Sequence, residues 1–163
     1  MDESLERQLE QAKAFFLEKN HDKALSILNG LIEKYPDHSY CYFKRSFIFH
    51  HKKDWHQAFA DLNKAISLNP DEPAYFFFKG FWKINCGHYD EGVDALTHAI
   101  INEEKIGSEY YKSTLYLMRA FANMQLGKKA EALLDLENSH DDEATHLNGK
   151  IRTKASLLQE LQA

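Results

Sequence analysis

The sequence predicts an all-α chain: four helical hairpins stacked in a solenoid and closed by a C-terminal capping helix. Three observations predict it. Two matching phrases, EKYPDHSYCYFKRSF and SLNPDEPAYFFFKGF, set Pro36 and Pro70 34 residues apart. The same spacing relates Ala24, Ala58 and Gly92, then Leu28, Leu62 and Leu96, then Leu31, Ala65 and Ala99. Ala132 and Leu136 complete the series 40 residues after Gly92 and Leu96, so a fourth copy follows an insertion of six residues. A period of this length marks a supersecondary unit that buries its apolar face only by stacking on its own copies.

The units fall at about residues 5–38, 39–72, 73–106 and 113–144, in one domain over 1–163 with no Gly/Ser-rich linker. Each holds two helices of about a dozen residues and a short turn. Ala12, Ser46, Gly80 and Ala120 are small where the first helix of a pair crosses the second, and Ala24, Ala58, Gly92 and Ala132 face them; small against small permits close axial approach. The insertion falls around INEEKIGSEYYK, where Gly107 suits a helix stop and Ser108 an N-cap, so the seventh helix is expected to start early and run long. The tail reads as a helix over about 142–162 with one apolar stripe, Leu147, Ile151, Leu158 and Leu161. It is expected to solvate the end of the stack; the other reading is that it folds into a groove of its own or another chain.

Composition narrows the function. The 163 residues are 44% hydrophobic and 28% charged, with a net charge of −5. That is ordinary for a globular chain, and no basic cluster offers to neutralise phosphates, so nucleic acid is not an expected partner. No apolar run approaches a membrane span, and the acidic, polar start MDESLERQLEQ lacks the cationic and apolar regions of a signal peptide. Cys41 and Cys86 lie far apart, without a CxxC spacing. A reduced, cytoplasmic protein is expected.

The joint pattern resembles the tetratricopeptide repeat, whose consensus runs W-x2-L-G-x2-Y, A-x3-F, P. The aromatic opener stands at Tyr42, Phe76 and Tyr116, with Gln8 in the first copy; the Leu-Gly pair is replaced by Gln11-Ala12, Arg45-Ser46, Lys79-Gly80 and Arg119-Ala120; the turn aromatic stands at Trp55 and Tyr89. The resemblance covers about residues 5–144. It implies four TPR-like helix pairs in a right-handed α-solenoid and a non-enzymatic module that binds proteins on its concave face.

The resemblance also assigns faces, which matters for AYFFFKGFW, a stretch with six aromatic residues between Tyr75 and Trp82. Phe76 and Gly80 should enter the packing between helices, Phe77, Phe78 and Phe81 should line the groove, and Tyr75 and Trp82 fall between. Inner positions elsewhere include Leu9, Lys13, Phe16 and Leu17 in the first unit, Tyr40, Phe43, Lys44, Phe47, His50 and His51 in the second, Asn85 in the third, and Thr114, Leu117, Met118, Phe121 and Met124 in the fourth. The expected partner site is therefore Phe43, Lys44, Phe47, His50, Phe77, Phe78, Phe81, Leu117 and Phe121, a wall suited to an apolar peptide or amphipathic helix. Family members that grip the acidic C-termini of heat-shock chaperones use Lys, Asn, Asn, Lys and Arg at positions that here hold Leu9, Lys13, Lys44, Ala74 and Phe78, so a carboxylate clamp is not expected. Rings that pack on one another as core are the alternative to a binding wall.

No chemistry beyond binding finds support. His50, His51 and His56 are crowded in HHKKDWH but lack the converging i, i+4 spacing of a zinc site, and neither a phosphate-cradling Gly-rich loop nor a G-x-S-x-G appears. No metal, cofactor or catalytic residue is expected. His50 and His51 are candidates for pH-dependent binding. Two further functions fit the sequence: a small dedicated chaperone or immunity-type protein for a secreted effector or toxin, and a scaffold that homodimerises through the wall or the last helix.

Overall fold

The computed structural model describes residues 3–162. It divides into two compact units, Met1–Asp71 and Glu72–Ala163.

The first unit holds two helical hairpins, α1 (Glu3–Leu17) with α2 (His21–Lys34) and α3 (Ser39–His51) with α4 (Trp55–Leu68). Both turns are Schellman motifs. Asn20 N–H donates to the Phe15 carbonyl at 2.8 Å and Asp54 N–H to the Phe49 carbonyl at 2.9 Å, across left-handed residues Lys19 and Lys53. Asn20 and Asp54 then cap α2 and α4, accepting from the amides of Lys23 and Gln57. Leu5, Ala12, Ala24, Leu28, Leu31, Cys41 and Ile48 form the core. A charged clip crosses it. The Arg45 guanidinium donates to both Asp61 oxygens, at 2.7 and 2.8 Å, and to Asn29 Oδ1 at 2.7 Å, so α3 is held to α4 and to α2. Bidentate, largely desolvated pairs of this kind fix geometry as well as adding energy.

The second unit begins with α5 (Pro73–Asn85) and α6 (Tyr89–Ile106), followed by α7 (Lys112–Gln125) and α8 (Lys129–Glu137). Gly87 and Gly127 occupy the left-handed turn position that Lys19 and Lys53 hold in the first unit. The clip recurs: Arg119 bonds both Asp135 oxygens and donates to Thr97 Oγ1 at 3.0 Å, while Asn123 Nδ2 donates to Asp135 at 3.1 Å. Gly80 and Gly92 meet where α5 crosses α6, as their spacing predicts. The aromatic run divides differently from expectation. Tyr75 and Trp82 are the buried members, seven residues apart on one face, and Phe76 is half-buried, stacked on His98 at 5.2 Å.

Two boundaries depart from the sequence reading. The insertion lengthens α6 to 18 residues instead of α7. Gly107 does stop α6, with φ 66°, but Ser108 does not cap α7; its Oγ accepts from Tyr110 N–H, and α7 starts at Lys112. The larger correction is at the C-terminus. The helix expected over 142–162 occupies only Lys154–Gln162 (α9), and an antiparallel hairpin precedes it, β1 (Ala144–Leu147) with β2 (Lys150–Thr153). Asn148 and Gly149 take φ values of 50° and 74°, the type I′ turn whose twist matches that of paired strands. Thr153 and Ser156 exchange side-chain to backbone hydrogen bonds at the start of α9, a capping box that forbids its extension toward residue 142. β1 packs against α7 and α5, and α9 against α7 and α8.

Candidate functional site

Each unit presents part of the expected site, and each is described by itself. In the first unit, α1 and α3 lie over α2 and leave an apolar cavity of about 230 Å3 between them. Ala12, Leu28 and Ile48, all buried, form its floor; Leu9, Phe16, Leu17 and Phe47 form its walls; Lys13 and Lys44 stand at it with cationic heads. Leu17 is 70% exposed, an unusual cost for a leucine at a cavity mouth. Lys44 Nζ lies 4.6 Å from the Tyr40 ring centroid and 5.7 Å from that of Phe43, so cation–π contact positions this ammonium. Lys13 Nζ is 3.2 Å from Glu10, an exposed pair of little net strength.

Phe43 is buried, with its ring edge-on to Phe47 at 5.0 Å, and so supports the wall rather than forming its surface. Phe47 and Lys44 line the cavity. His50 packs edge-on against Trp55 at 4.8 Å and lies 5.8 Å from His51. Burial, reinforced by His51, holds its imidazole below the usual histidine range. Phe16 bridges to the same group, stacked on His21 at 5.6 Å and edge-on to His51 at 4.8 Å.

In the second unit, Phe77, Phe78 and Phe81 are half-buried. Phe77 contacts Phe78 and Tyr111, with centroids 5.1 and 5.0 Å away. Leu117 and Phe121, expected on an open wall, are instead enclosed, at 0% and 1% exposure. The reason is the C-terminal segment. Leu147 and Leu157 join the core cluster that contains Leu117, Met118 and Phe121, and the Arg152 guanidinium lies 4.8 Å above the Phe121 ring. The repeat pattern carried no sign of the segment that covers Leu117 and Phe121; Asn148-Gly149 was the signal available.

Among the described residues no group of three or more His, Cys, Asp or Glu side chains can hold a metal ion. Burial pushes the Cys41 thiol up to about 11, so it is neither nucleophile nor thiolate ligand near neutral pH. No helix of the described residues is long and apolar enough to cross a membrane.

Comparison with known proteins agrees with this architecture. Tetratricopeptide repeat models match residues 8–38 and 39–72. Among solved structures, the TPR2B domain of yeast Sti1, in its pHsp70 complex, is similar at TM-score 0.68 and 19% identity, over 74% of this chain and 97% of that one. MamA is similar at TM-score 0.71 and 16% identity, over 82% and 75%. PilF of Pseudomonas aeruginosa is similar at TM-score 0.72 and 16% identity, over 83% and 60%. At these identities the likenesses show the fold, an all-α helical-repeat solenoid. No curated protein matches the chain.

Proposed function

We propose that this chain, which is a tetratricopeptide-repeat protein and as such a protein-interaction module, holds a partner segment in the cavity of its first unit. One observation carries the reading: an open, apolar cavity with two lysine heads and no carboxylate among its lining residues. Small-molecule sites usually run from about 300 to 1,000 Å3, so a cavity of about 230 Å3 suits one or two apolar side chains of a peptide better than a whole cofactor. The partner segment is an amphipathic helix that seats an apolar anchor against Phe16 and Phe47 and sets an acidic residue beside Lys13 and Lys44. Phe77, Phe78 and Phe81 are half-buried aromatics of the second unit and do not line this cavity.

The clamp implied by the family resemblance is not matched by the side chains of this chain. Of the five family clamp positions, Leu9, Lys13, Lys44, Ala74 and Phe78, only the two lysines can donate to an anion, so a mixed apolar and acidic segment fits better than a bare terminal carboxylate. Affinity capture of partners from native lysate tests the proposal, with wild type run beside Phe16→Ala/Phe47→Ala and Lys13→Glu/Lys44→Glu variants whose folding is checked by circular dichroism. Loss of an aromatic anchor should weaken a captured partner by about 2–4 kcal/mol and charge reversal should also weaken it. Capture of the same proteins at the same strength by all three forms would refute it.

A further inference from the structure

We infer that the inner face of α5 and α7 in the second unit is itself a segment-binding site, and that residues 143–162 are its resident ligand, docked in cis and displaceable. The contacts place the segment along that face. Thr114 Oγ1 donates to Glu143 Oε1 at 2.7 Å, Asn148 N–H donates to Asn85 Oδ1 at 2.9 Å, and Arg152 covers Phe121. Thr114, Asn85 and Phe121 are three positions that the repeat pattern turns inward, on two different helices. A tail that only solvated the end of the stack would cover α8 alone; here α9 does pack on α8 and α7, and the hairpin lies on α7 and α5.

The segment has the anatomy of a bound peptide. Leu147 and Leu157 are fully buried, while Ala144, His146, Asn148, Gly149, Lys150 and Ile151 between or beside them are exposed. Two fully buried anchors, flanked by half-buried Leu158 and Leu161 and by an exposed turn, form the pattern of interface hot spots, not of a core element buried along its length. Four-residue strands and a nine-residue helix are also too short to persist in water, so this segment folds only on the surface that receives it. Its fit is imperfect: Arg152 Nε is buried with no hydrogen-bond partner among the described residues, a group that water would satisfy on release. The tip is held by side-chain bonds at Asn148, to Asn85 and to the Tyr89 hydroxyl at 2.9 Å, each easily exchanged for water.

The occupant therefore specifies the site: a leucine next to a tight Asn-Gly turn, followed by a short helix with a second leucine. A partner segment binds here only by displacing 143–162. The test uses the full chain and a fluorescein-labelled peptide of residues 140–162. Full-length Leu147→Asp, with its own segment released, should bind the peptide at least tenfold more tightly than wild type does, and should not bind a peptide carrying the same substitution. Equal affinity of the two proteins would overturn the inference. So would a loss of helix content in Leu147→Asp greater than the nine residues of α9, because a ligand can leave, and its own helix melt, without unfolding its receptor. Hydrogen exchange on the wild type gives an independent reading: amides of 144–162 should exchange at least tenfold faster than those of α7. Equal protection would mean that the segment opens only with the whole unit and is core.

Discussion

Replacing Gly80 with alanine should destabilise the second unit even though it puts a better helix former into α5. A Cβ built at Gly80 lies 2.6 Å from Leu96 Cγ, 2.7 Å from Leu96 Cδ2 and 3.2 Å from the Gly92 carbonyl oxygen. Ordinary carbon contacts lie near 3.5–4.0 Å, so Leu96 would have to retreat by about 1 Å. It has no room, being fully buried, and on the facing side a Cβ at Gly92 would meet Ile84 Cγ1 at 2.7 Å. Overpacking of this kind costs about 1–3 kcal/mol, against a gain of about 1 kcal/mol in helix propensity. A net loss of about 1 kcal/mol follows, or about 2–4 °C in melting temperature for a chain of this size. Equilibrium urea unfolding with a double-mutant cycle separates the two effects. Leu96→Ala alone should cost about 2–5 kcal/mol. With Leu96 truncated, the Gly80→Ala methyl loses its two sub-3 Å contacts and keeps only the Gly92 carbonyl at 3.2 Å, so the double variant should be more stable than the sum of the singles by about 1–3 kcal/mol. A Gly80→Ala protein at least as stable as wild type, or strict additivity in the cycle, would refute the close-approach argument.

Lys53, at φ 61°, holds a left-handed turn position that glycine fills in the second unit. Lys53→Gly removes a steric cost of about 1–2 kcal/mol and adds about 0.4–1 kcal/mol of unfolded-chain entropy, so thermal melting should show a net gain of between about 0 and 1.6 kcal/mol; a lowered melting temperature would contradict this. His50 resists charging in the folded state because burial, with His51 beside it, lowers its pKa. Its contribution to stability is therefore complete above the unfolded value near 6.5 and is lost as pH falls below that toward the folded value. The urea midpoint of the wild type should fall between pH 7.5 and 5 more steeply than that of His50→Gln, and parallel profiles would rule His50 out.

What the sequence made legible was local. Each hairpin closes within about 34 residues, its turn is set by one left-handed residue, and its crossing is set by one pair of small side chains such as Gly80 and Gly92, so spacing alone placed them. The charged clips were visible only as departures from the repeat. Arg45 and Arg119 stand where the consensus has leucine, and their partners, Asp61 and Asp135, each lie 16 residues on. That interval becomes a contact only once two helices are known to run antiparallel. Lys79 occupies the same motif position with Ala95 at the same interval, so the third copy has no such clip. The C-terminal segment failed for a different reason. Leu147, Ile151, Leu158 and Leu161 satisfy a helical stripe, yet Ile151 is 66% exposed and Leu147 is buried, because the turn propensity of Asn148-Gly149 outweighs a period that four residues can mimic by chance.

That local error had a functional consequence. The pattern assigned Leu117 and Phe121 to the inner face but could not say whether that face is open. Whether an inner-face residue is wall or core depends on a segment more than 20 residues away, and the strength of its hold is not encoded in either place alone. Two inner faces built on one motif thus differ in kind. The cavity at Phe16 and Phe47 is open and flanked by lysines, while the surface at Leu117 and Phe121 carries an occupant of the same chain. For a repeat protein of this sort, binding specificity is decided as much by which faces the chain fills for itself as by the side chains that line them.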